Sequence, residues 1–103
     1  MKTSRKLGIL VSSNRHLDKI IKLCEAAEVK DVEVIIFFTH LGTLLTQESR
    51  FSELEGKARM SLCSVAFESH GLKPPVKGID AKGFGTQVEN AEMIEKCDRY
   101  VVF

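Results

Sequence analysis

Cys63 is the residue with the clearest capacity for chemistry. It follows Lys57-Ala-Arg-Met-Ser-Leu62, where Ala58, Met60 and Leu62 alternate with Lys57, Arg59 and Ser61, the two-residue period of a strand. Ser64 to His70, with Val65, Ala66, Phe67 and Ser69 ahead of Gly71, reads as a short helix ended by a glycine. One helix across 57–70 is the alternative reading. A cysteine between a strand end and a helix N-terminus lies beside partial positive charge, which favours thiolate over thiol. The thiolate attacks sulfur or carbonyl centres, or carries a persulfide sulfur. A buried cysteine that only packs is the competing reading.

Other side chains are weighed against Cys63. His40 follows a strand and could exchange a proton with a group on the cysteine; its alternative is a solvated loop histidine. His70 lies seven residues after Cys63, ~10 Å along a helix and too far for direct exchange, so a helix-end role is expected. His16 is expected in solvent near the start of the first helix. Cys24 and Cys97 fall on apolar helical stripes and read as packing residues. That leaves a cysteine peroxidase at Cys63 without a resolving thiol. No short Cys/His spacing supports a metal site. Neither G-x-x-x-x-G-K-[ST] nor G-x-G-x-x-G occurs, so no nucleotide cofactor is indicated. The first strand also lacks the acidic cluster of a response regulator.

These residues need elements to position them. Lys6 to Ser12 is a short, nearly continuous apolar run, expected of a buried central strand. Ser12-Ser13-Asn14 then supplies turn chemistry, with Ser13 or Asn14 as N-cap of a helix over about 14–28. Leu17, Ile20, Ile21, Cys24 and Ala27 form that helix's apolar stripe. Val32 to Phe38 is β-branched and aromatic, the clearest strand in the chain, and it runs into Thr39-His40-Leu41-Gly42. From Thr43 to Glu55 a short helix and a loop are expected, with Leu44, Leu45, Phe51 and Leu54 available for burial. Pro74 to Ile79 could hold an edge strand, and Gly83-Phe84-Gly85 reads as a flexible turn. Thr86-Gln-Val-Glu89 matches a capping box. Val88, Ala91, Ile94 and Cys97 follow as an apolar stripe, and Arg99 to Phe103 closes the chain as a strand.

Strands alternating with helices predict an α/β fold: a three-layer α/β/α sandwich around a mostly parallel sheet of four or five strands. In such sheets ligands gather beyond the carboxyl ends of the strands. That rule points to Ser12-Ser13-Asn14, Thr39-His40-Leu41-Gly42 and Cys63 as one candidate edge, with Ser12, Ser13, Asn14, His40 and Gly42 as binding candidates and Cys63 as the catalytic one.

Length and composition bound the rest. The chain has 103 residues, 44% apolar and 28% charged, with a net charge of +1. This fits one domain over 1–103, and the charge balance gives no reason to expect a nucleic-acid or lipid-surface partner. Three cysteines cannot all pair within one chain, which points to free thiols and a reducing, cytoplasmic compartment. The basic start before Leu7 to Val11 precedes an apolar run of about five residues, short of the ~7–15 of a signal core. No run approaches the ~20 residues of a membrane span.

Arg59-Met-Ser-Leu-Cys63-Ser-Val-Ala-Phe-Glu-Ser-His-Gly71-Leu72 resembles the cysteine segment of the DsrE/DsrF-like family, which includes sulfur-relay subunits of the Tus type. Phe37-Phe-Thr-His-Leu-Gly42 resembles that family's second-strand ending, and Leu7 to Ser12 fits its opening. His70 stands where family members often have arginine. The resemblance implies a parallel α/β fold and a persulfide-carrying cysteine, which on this chain is Cys63. It also implies sulfur donor and acceptor proteins or small thiols as partners, and assembly into trimers or hexamers. A non-catalytic module for ligand binding or assembly is the alternative for the same fold.

Overall fold

A computed structural model describes residues 5–103; the basic opening at 1–4 lies outside the described residues. Five strands form one all-parallel sheet: β1 (Arg5–Val11), β2 (Val32–Phe38), β3 (Arg59–Cys63), β4 (Phe84–Gly85) and β5 (Arg99–Val102), in the order β4-β3-β2-β1-β5. Helix α1 (Leu17–Val29) and helix α2 (Ser64–Ser69) lie on one face, and helix α3 (Gln87–Lys96) on the other. This is the expected α/β/α sandwich.

β2 forms where the sequence is richest in β-branched and aromatic residues. Its side chains alternate between two cores because successive strand residues point to opposite faces. Val34, Ile36 and Phe38 join Ile9, Val11, Met60 and Leu62 beneath α1, whose Leu17, Ile20, Ile21, Cys24 and Ala27 are buried against them. Phe37 belongs to the smaller cluster on the opposite face, with Cys63 and Met93. Arg50 ties α1 to the segment after β2: its Nη1 donates to Asp18 of α1 and its Nε to Glu53, both at 2.7 Å. Hydrogen bonds to Arg50 hold both exposed carboxyls below their ordinary values.

Several elements differ from expectation. Neither Ser13 nor Asn14 caps α1. The N-cap is His16, without a side-chain hydrogen bond, because the Ser12 and Ser13 amides both donate to the Phe103 carbonyl, at 2.8 and 3.3 Å. His16 is half-buried with its ring 5.9 Å from that of Phe103. The segment after β2 forms two 3-10 helices, His40–Gln47 and Ser49–Leu54, burying Leu45, Phe51 and Leu54. Pro74 to Ile79 contains only a bridge between Val76 and Ile79. The edge position belongs instead to Phe84–Gly85, a paired strand rather than a turn.

The α3 stripe is the largest correction. Val88 is 62% exposed and Ile94 47%, Ala91 is also exposed, and only Met93 is buried. Each three-residue step falls about 60° short of a full helical turn. A strict 88-91-94-97 series therefore winds half-way around the helix and cannot share one face. Gly8 lets α3 approach the sheet: a Cβ there would stand 3.1 Å from Cys97 Sγ and from Met93 Cγ. The capping box is present, with Thr86 N donating to Glu89 Oε2 at 2.7 Å and Val88 N to Thr86 Oγ1 at 3.2 Å.

Cys24 is 0% exposed, and burial pushes its thiol from an ordinary 9.0 up to about 11. The folded state therefore keeps a proton that the unfolded chain releases first. The associated stability is full below pH 9.0 and is lost as pH rises through about 11. That rise corresponds to about 2–3 kcal/mol. Urea unfolding at both pH values should show that extra loss in the wild type relative to Cys24→Ala; equal pH dependence would contradict it.

Candidate functional site

The parallel register brings the carboxyl ends of all five strands to one edge. Val11 pairs with Phe38, Phe38 with Leu62, and Leu62 with Phe84, while Leu10 pairs with Val102. The segments holding the expected site residues therefore lie along one border, though each contributes differently.

Cys63 is the last residue of β3 and the N-cap of α2, with extended backbone (φ −79°, ψ 114°). The short helix ends as expected. Gly71 has φ +74°, and the Gly71 and Leu72 amides donate to the Glu68 and Phe67 carbonyls, the paired bonds of a Schellman motif. Cys63 is 8% exposed and belongs to the cluster with Phe37 and Met93. Among the described residues its sulfur has no hydrogen-bond partner.

The two neighbouring strand ends are joined across Cys63. Because β3 lies between β2 and β4, a bond from the segment after β4 to the segment after β2 must span it. Gln87 Nε2 provides that bond, donating to Thr39 Oγ1 at 3.2 Å. On the β4 side Ser64 Oγ donates to the Gly85 carbonyl at 3.2 Å. The strand-end rule puts Thr39 on this edge, whereas Gln87 carries no signal in the sequence. Their pairing depends on β4, whose two residues have no strand pattern.

Among the described residues no histidine ring is hydrogen-bonded to the thiol. His40 is exposed, with φ +48°, and its carbonyl accepts from Thr43 Oγ1 at 2.9 Å; its ring makes no hydrogen bond to Cys63. His70 caps α2, its Nδ1 donating to the Ala66 carbonyl at 2.9 Å and lying 3.4 Å from Thr43 Oγ1. A carbonyl only accepts, so the ring proton sits on Nδ1. Gly42 serves packing, because a Cβ there would overlap the Val11 carbonyl.

Ser12 and Ser13 sit at the other end of the edge, where the strand sequence reverses between β1 and β5. Ser12 Oγ lies 3.4 Å from the Phe103 carbonyl, whereas Ser13 Oγ is buried with no hydrogen-bond partner among the described residues. Asn14 is exposed.

Cys97 lies far from Cys63. It packs at Gly8, which pairs with Ile35, which pairs with Arg59. That places it about 13 Å along the sheet and about 10 Å across it from Cys63, whereas a disulfide needs Cα atoms within about 7 Å. Burial also pushes the Cys97 thiol up. Among the described residues no group of three or more His, Cys, Asp or Glu could hold a metal ion, and no helix is long and apolar enough to cross a membrane. No family model matches the chain, and no curated protein is significantly similar to it.

Removing the bond across β3 should open the edge. A net hydrogen bond of about 1 kcal/mol corresponds to about fivefold in an opening equilibrium. Iodoacetamide should therefore label Cys63 about fivefold faster in Gln87→Ala than in the wild type, with Cys24 still protected. An unchanged Cys63 rate would show that the bond does not govern access.

Proposed function

We propose that this protein carries sulfur as a persulfide on Cys63, as the resemblance to the DsrE/DsrF-like family implies. The observation that carries the reading is the position of Cys63 at a strand-to-helix junction on the shared carboxyl edge. Of the other two thiols, Cys24 is fully buried on α1, and Cys97 is the C-cap of α3, packed at Gly8.

In the loading step, the Cys63 thiolate attacks the outer sulfur of a donor persulfide, R–S–SH. The donor S–S bond breaks, R–S⁻ departs, and Cys63–S–SH forms. An acceptor thiolate then attacks the outer sulfur and restores the Cys63 thiolate, so the transfer needs no external oxidant. Donor and acceptor are proteins or small thiols, and the chemistry belongs to a reducing, cytoplasmic setting. Assembly into trimers or hexamers accompanies this reading. It is supported by apolar side chains left in solvent on α3 (Val88, Ile94) and on the edge strand β5 (Val101, Val102).

A second reading, a non-catalytic small-ligand module, is favoured by one specific observation. Ser13 Oγ is buried without a partner at the strand-order reversal, the usual ligand position in open α/β sheets.

Intact mass after incubation with polysulfide separates the readings. The reduced wild type should gain the mass of one sulfur, removable by excess thiol, and Cys63→Ser should gain none. An unchanged wild-type mass, or an equal gain in the variant, would leave only the ligand module.

A further inference from the structure

We propose that the amino end of the sheet holds a second site, for a small amphiphilic carboxylate. A cavity of about 310 Å³ opens there between the later turns of α1 and the starts of β1, β2 and β5. Half-buried Leu7, Leu23 and Val32, with buried Ala27, give it an apolar floor. Arg5, Lys30 and Arg99 form an exposed cationic rim.

The charges around this cavity are unbalanced. Among the described residues Asp98 is its only acidic lining residue, and Asp98 Oδ2 accepts from the Lys6 amide at 2.8 Å. Among the described residues, Arg5, Lys30 and Arg99 make no ion pair with a carboxylate. Arg99 Nη1 donates only to the Asp98 carbonyl, at 3.4 Å.

Floor and rim together select the ligand. An inorganic anion would leave the apolar floor in water, and a neutral hydrocarbon would leave the cations without a counter-charge. A short apolar chain ending in one carboxylate satisfies both. The volume lies at the low end of the ~300–1,000 Å³ of small-molecule sites, which favours a small ligand. The cavity is at the opposite end of the strands from Cys63, so this inference stands whether or not that thiol carries sulfur.

Octanoate titrated into isotope-labelled protein at low salt is the test. Amide shifts at Leu7, Leu23, Ala27 and Val32 should saturate, and 1-octanol should bind about tenfold more weakly. Arg99→Glu should weaken octanoate about tenfold, the size expected for one lost charge-assisted hydrogen bond. Ala26→Phe, an exposed helix position at the cavity mouth, should abolish the shifts while leaving the circular dichroism spectrum unchanged. Shifts that fail to saturate, equal binding of octanol, or octanoate binding unaffected by both variants would overturn the proposal.

Discussion

The uninterrupted parallel pairing of β2 with β1 and β3 is the constraint on which the rest of the structure depends. Val32 to Phe38 is paired along its whole length with β1, and Ile35 to Phe38 with β3. A slip of one residue would exchange the two cores, because alternate side chains serve opposite faces. Ile36 and Phe38 would turn toward α3, and Phe37 toward α1. The same register aligns the strand ends and puts Thr39 beside the end of β3. Gly42 then adds a second lock, since the chain leaving β2 passes too close to the Val11 carbonyl for any side chain.

What could be read in the sequence follows from how local each determinant is. β2 is legible because seven consecutive residues carry the pattern, and the apolar positions of α1 are legible because their spacing alternates three and four. The capping box of α3 is legible because both partners lie within four residues. β4 is not, since its two residues become a strand only by pairing with Leu62 and Cys63. The orientation of α3 depends on Gly8, far earlier in the chain, where a missing side chain makes room for Met93 and Cys97. The start of α1 is set by the Phe103 carbonyl, which holds the Ser12 and Ser13 amides across the sheet.

The candidate edge divides in the same way. Strand pattern and helix-ending glycine place Cys63 at its junction, and its position needs no distant contact. The bond that crosses it, from Gln87 to Thr39, joins residues 48 positions apart and follows from the sheet order. His40 and Gly42 fall at the edge through their place after β2. His40 faces solvent and Gly42 makes backbone contact, and no hydrogen bond joins the His40 ring to the sulfur. Under the proposed function the reaction would rest on the thiol and its incoming partner, and the Gln87–Thr39 bond is the contact expected to govern access.

The most direct measurement uses a protein in which Cys63 is the sole thiol, Cys24→Ala/Cys97→Ala, treated with isotopically labelled polysulfide and digested. The account predicts one labelled sulfur on the peptide containing Cys63, and its quantitative passage to an added acceptor thiol. A folded sole-cysteine protein that takes up no label, or holds it without passing it on, would contradict the account.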